Sequence, residues 1–181
     1  ANSTAEVTRQ DTDFHDALNN KRGQWVQLSA TITPTLTNPN ETAKLGVTFN
    51  FGKIVAADVF IDDITVTETQ PLKYYDYNNP QAQESITFDD NRPYSFSLPC
   101  YAVIQSAPAR NGKVTNALKL SAGTYKSDTV VNIGATLYSQ TDPAFAVPIK
   151  GNKSYKVTAQ AYLANGSANL AYAGLILAYK A

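Results

Sequence analysis

The chain contains no methionine, one cysteine, one histidine and one tryptophan in its 181 residues. Cys100 alone can form neither an intrachain disulfide nor a multi-cysteine zinc site, and His15 alone removes most of the usual catalytic and metal-ligand side chains. What remains is the chemistry of carboxylates, hydroxyls and aromatic faces. Net charge is also missing: 15 basic and 15 acidic residues cancel, so no bulk field draws the chain to nucleic acid or to an anionic membrane. No apolar run is long enough for a membrane-spanning helix, so membrane insertion is not expected. No basic segment followed by an apolar run stands at the front, and without an initiator methionine Ala1 is expected to follow a processing event or an expression boundary.

Charged residues make up 17% of the chain, below the roughly 25% of average proteins, and Thr, Ser, Asn and Tyr carry the polarity. That balance points to a secreted or cell-surface β-protein.

Alternation with period two dominates the pattern. Val26, Leu28, Ala30 and Ile32 alternate with Trp25, Gln27, Ser29 and Thr31, the signature of a half-buried strand. Leu45, Val47, Phe49 and Phe51 repeat it. Over 58–67 the phase slips at Asp62 and Asp63, because Val59 and Ile61 share one parity while Ile64 and Val66 share the other, and a β-bulge would explain the slip. Further strand signals cover 86–89, 100–104, 114–121, 129–138, 145–149, 155–163 and 168–179, whereas 69–85 holds Pro71 and Pro80 and reads as a linker. The polar first 23 residues offer only a turn or short helix around 11–18. About ten short strands separated by turns predict an all-β antiparallel β-sandwich formed as one domain over 1–181. The apolar segment 168–181 would be an exposed template for pairing unless covered by its own sheet or by a neighbour.

GQWVQLSATIT, then LGVTFNFG, then ADVFIDDITVTE, together residues 23–68, resemble the C-terminal half of the jelly-roll carbohydrate-binding modules of families 4, 9 and 22. ITFDD near residue 86, NGKVTNALKLSAG and PIKGNKSYKVTAQAYL resemble the N-terminal half of the same modules, more weakly, so that 1–68 and 86–181 carry the halves in inverted order. Two arrangements accommodate the inversion: a circular permutation closing one jelly roll, or strand exchange in which each half completes a sandwich with a neighbouring copy.

The resemblance implies a structural calcium between the opening and closing strands, with Asp63 and Asp89 as ligands. Unneutralised carboxylates about 4 Å apart repel by about 4 kcal/mol at an effective dielectric near 20, which is the physical side of that expectation. It also implies sugar binding, because aromatic rings stack on the C–H face of a pyranose while polar groups meet its hydroxyls. The candidates are Trp25, the linker cluster Tyr74, Tyr75 and Tyr77, and Tyr162, with Tyr138 as a further option. Asn2, Asn40, Asn152 and Asn165 each open an N-x-[ST] triplet compatible with glycosylation. His15 beside Asp13 and Asp16 reads as loop polarity, and Cys100 in SLPCYAVI as a small hydrophobe.

No glycine-rich phosphate loop is present, and adjacent Asp62 and Asp63 project to opposite faces of a regular strand, which does not suit paired-acid hydrolysis. The expected function is therefore non-enzymatic attachment to polysaccharide. A structural subunit of an extracellular filament, polymerised through 168–181, is the alternative.

Overall fold

The computed structural model describes residues 7–36, 42–54, 56–69, 83–89, 101–121, 130–133, 147–151 and 153–180. Their eleven strands are β1 (Val7–Asp13), β2 (Trp25–Ile32), β3 (Thr42–Asn50), β4 (Val59–Thr69), β5 (Gln83–Ile86), β6 (Tyr101–Ser106), β7 (Asn116–Ser121), β8 (Val130–Ile133), β9 (Val147–Lys150), β10 (Ser154–Leu163) and β11 (Gly174–Lys180). One helical segment, α1 (His15–Asn20), joins β1 to β2. The strands form two antiparallel sheets, so the chain is an all-β sandwich.

One sheet runs β1-β11-β3-β8 with β9 also on β3, and the other runs β2-β10-β4-β7-β6 with β5 also on β4. Both sheets therefore draw strands from both ends of the chain: Val7 pairs with Lys180, and Trp25 with Tyr162. The interior follows from period two. On β10, Tyr155, Val157, Ala159, Ala161 and Leu163 are buried, and the intervening residues face outward. They meet Leu28 and Ile32 of β2, Ile61 and Val66 of β4, and Leu175 and Leu177 of β11 in one apolar cluster that reaches from Leu18 to Tyr179.

The bulge suggested by the phase slip is present. Thr65 pairs with Thr158 and Asp62 with Gln160, so Asp63 and Ile64 together oppose the single residue Ala159. Asp63 takes φ +47°, a left-handed conformation in which Asp and Asn are the enriched non-glycine residues. Without the extra residue, Ile64 and Val66 would turn outward; with it, both are buried.

Two sequence readings shift. The final strand begins at Gly174 and not at residue 168, because the preceding backbone is satisfied elsewhere: Asn19 holds both Leu170 N–H and C=O (2.8 and 2.9 Å), and Asp13 accepts from Ala173 N–H at 3.0 Å. The expected linker over 69–85 contains the start of β5, and β4 extends through Thr69. β1 gave no alternation signal because it is polar from Thr8 onward, VTRQDTD, and lies at a sheet edge. β11 lies between β1 and β3, so its apolar run is covered on both edges within the chain, and donating it to a neighbour would mean extracting a central strand.

Leu177→Ala and Val157→Ala are expected to cost about 2–5 kcal/mol each in urea unfolding, whereas Thr31→Ala, exposed on β2, should stay within about 0.5 kcal/mol.

Candidate functional site

Antiparallel register aligns the outward residues of the six-stranded sheet into rungs that cross it. The first complete rung is Trp25 on β2, Tyr162 on β10, Phe60 on β4 and Lys119 on β7. The Trp25 and Tyr162 rings are 5.3 Å apart and tilted by 54°, while Tyr162 and Phe60 meet edge to face at 6.1 Å. Lys119 Nζ lies 5.9 Å from the Phe60 ring centroid. The next rung is polar, with Gln27 paired to Gln160 and Gln160 to Asp62. Hydroxyl rows follow: Ser29, Thr158 and Thr65 share a rung, with Thr65 and Thr158 hydroxyls 2.5 Å apart, and Thr33 and Ser154 hydroxyls are 2.7 Å apart farther on. Gln27, Ser29, Thr31 and Thr33 are exposed, and Gln160, Thr158 and Tyr162 are partly exposed.

The β6–β7 hairpin covers part of the aromatic rung. Asn111 (φ +54°) and Gly112 (φ +75°) form its two-residue turn, and Arg110 and Lys113 exchange backbone bonds of 3.0 Å on either side. The tip over 107–115 reaches across β4 and β10 to β2: Trp25 Nε1 donates to Pro108 O at 3.1 Å, and Arg110 Cζ stands 5.3 Å from the centre of the Trp25 ring. Ala107 and Ala117 are buried with Phe60, and Trp25, Tyr162 and Ala164 pack against them as a second, smaller apolar cluster.

The bulge anchors that tip. Strand β7 pairs β4 only over 59–61 and β5 only over 64–67, so Asp62 and Asp63 fall in the gap between the two partners. Arg110 Nη2 donates to Asp63 Oδ2, and Thr115 Oγ1 donates to Asp62 Oδ2 at 3.1 Å. Asp62 Oδ1 accepts the N–H of Asp63 at 2.8 Å, and Arg110 Nη1 lies 4.0 Å from Asp62 Oδ2. Burial pushes the Asp62 carboxyl up to about 6; the Thr115 bond and the Arg110 charge oppose that rise, and the Asp89 charge adds to it. At the other end, burial also presses the Asp13 carboxyl upward. N–H bonds from Ala173 and His15, with the adjacent His15 ring, nevertheless hold it below the usual aspartate value.

Of the residues singled out in the sequence, Trp25 and Tyr162 come together on one rung, although Trp25 lies under Arg110 and is only partly exposed. Tyr74, Tyr75, Tyr77, Tyr138, Cys100, Asn2, Asn40 and Asn152 lie outside the described residues. Asn165 is exposed, in the turn closed by Ser167 N–H to Ala164 O at 3.2 Å. His15 is held by Asp13 at 2.6 Å and by Asp16 at 3.2 Å.

Asp63 is neutralised by Arg110, and Asp89 Oδ1 accepts the Asn116 N–H at 2.9 Å. Among the described residues no group of three or more His, Cys, Asp or Glu side chains is gathered to hold a metal ion. At Asp63 the Arg110 guanidinium supplies a neutralising charge.

Phe60, Gln27, Gln160 and Arg110 join this surface without having been singled out. The two glutamines share the parity of Trp25 and Tyr162 on their strands, a signal the alternation already carried, whereas nothing local to Arg110 announces where the hairpin tip points. Compared with known proteins, the chain matches no family model and no curated protein.

The raised value at Asp62 sets a direction for pH dependence. Its carboxyl gives up a proton less readily in the fold than in the unfolded chain, where it titrates near 3.9. Stability should therefore fall as pH rises from about 4 through 6, by up to about 3 kcal/mol from this group. Urea unfolding across that range checks it: Asp62→Asn is expected to flatten the decline, and an unchanged decline would remove Asp62 as its source.

Proposed function

We propose that this chain is a non-enzymatic, extracellular polysaccharide-binding β-sandwich, and that it holds its ligand on the outward face of the six-stranded sheet. The carrying observation is the juxtaposition of the Trp25–Tyr162 ring pair with the Gln27–Gln160 amide pair on neighbouring rungs of β2 and β10. Sugars need both kinds of group at once. An apolar ring surface takes the C–H face of a pyranose, and planar amides donate to and accept from its hydroxyls. Sheet strands lie about 4.8 Å apart, close to the length of one sugar unit, so a chain laid across β2, β10 and β4 would meet a fresh side chain at each step. The Ser29, Thr31, Thr65 and Thr158 hydroxyls extend the same surface with groups that can act as donor or acceptor.

The local carboxylates favour binding over hydrolysis. Asp62 is buried beneath Thr115, and Asp63 is paired with Arg110, so neither is placed to protonate a glycosidic oxygen from solvent. Near-zero net charge suits a neutral polysaccharide better than a polyanion.

Trp25, the only tryptophan, reports on the site. Its emission is expected to change on titration with a bound oligosaccharide. Gln27→Ala and Gln160→Ala should each weaken binding roughly three- to tenfold, as loss of a net hydrogen bond of about 0.5–1.5 kcal/mol does, with thermal midpoints little changed. Retention by affinity electrophoresis on soluble polysaccharides tests the reading as a whole, and a wild-type chain that none of them retards would sink it.

A further inference from the structure

The outward face continues one step beyond the aromatic rung. Val59 pairs with Leu120 and with Leu163, which puts Asp58 beside Ser121 and Ala164 on the next rung, and Ala164 N–H donates to Asp58 O at 3.0 Å. A cleft of about 380 Å³ opens there, between the 56–58 stretch, Ser121 and the 165–167 turn. That volume is at the small end of ligand sites, which run from about 300 to 1,000 Å³, and it suits one or two sugar rings rather than a long chain.

The groups around the cleft are those that recognise hydroxyls. Ser121 Oγ donates to Asp58 Oδ1 at 2.7 Å, and Lys119 Nζ stands 3.9 Å from Oδ2, so this half-exposed carboxylate keeps acceptor capacity toward the cleft. Asp58 N–H donates to Ser167 Oγ at 3.1 Å, and the Ser167 hydroxyl proton meets no acceptor among the described residues. Asn165 stands at the rim beside Gly23, whose φ is +78°. A β-carbon at Gly23 would come within 2.4 Å of Asn165 Oδ1, so the amide lies close against this glycine. Lys119 links cleft and sheet, since the same ammonium lies over Phe60.

We propose that this cleft is a subsite for a neutral sugar at the end of a saccharide held on the sheet face, with Asp58 accepting from its hydroxyls and Ser167 donating to it. The proposal rests on the polysaccharide-binding reading and deepens it. Asp58 carries the selectivity: it favours a ring rich in hydroxyls and repels a uronate carboxylate, against which Lys119 gives only partial compensation at 3.9 Å.

Isothermal titration of the whole chain with cellohexaose and xylohexaose as neutral probes, and hexagalacturonate as the acidic one, tests it. A neutral probe should bind at least tenfold more tightly than hexagalacturonate. Asp58→Asn should weaken the preferred neutral probe about 10- to 100-fold, the span of a hydrogen bond to a charged group, and should narrow the gap to the acidic one. Ser167→Ala, a milder change that decides the matter if Asp58→Asn does not fold, should weaken binding severalfold. If both variants bind as wild type does while Tyr162→Ala loses affinity, the subsite is refuted and the sheet-face reading stands. Equal or tighter binding of hexagalacturonate overturns the assigned selectivity, and a wild-type chain that binds none of the probes overturns both readings.

Discussion

The position of β10 between β2 and β4 governs the rest of the molecule. A central strand has no free edge, and its register with both neighbours fixes which side chains share each rung. Its inward set, Tyr155 to Leu163, belongs to the common core with residues from both ends of the chain, while its outward set supplies Tyr162, Gln160 and Thr158. A one-residue slip would exchange the two sets, burying a glutamine and exposing valine and leucine. The surface chemistry is therefore held in place by core packing rather than by contacts of its own.

The bulge at Asp63 breaks that alternation on β4. It keeps Ile64 and Val66 inward, and it turns two adjacent carboxylates into the gap between β7 and β5. Asp62 is costly there because its carboxylate is withdrawn from water, yet with Asp63 it fixes Arg110 and Thr115 and so the hairpin tip over Trp25. Arg110 closes one face of the indole and ties β2 to β4 across the width of the sheet. Beneath it the Trp25, Tyr162 and Phe60 rings pack in sequence along one rung.

Much of this was legible in the sequence. The alternations around Val26, Val47 and Val157 gave strands with the right inward residues, and the parity change between Ile61 and Ile64 located the bulge. Such signals survive because a half-buried strand must alternate. β1 escaped notice because an edge strand needs only one pairing partner, here β11, and can be polar throughout. The start of β11 was placed too early because 168–173 is apolar enough for a strand, while the side chains of Asn19 and Asp13, distant in sequence, satisfy its backbone. Trp25 and Tyr162 were found separately on their own strands, but their contact depends on register. The Asp58 cleft depends on the 165–167 turn lying beside β7, which no local pattern specifies.

The proposed function thus rests on a surface that core packing creates and a hairpin tip partly covers. Mapping backbone amide shifts by NMR during titration with a retained oligosaccharide locates the ligand most directly. Changes concentrated on β2, β10 and the start of β4, centred on Gln27, Gln160 and Tyr162, are the expected pattern. Changes confined to β1, β11 and β3 on the other sheet would contradict the account.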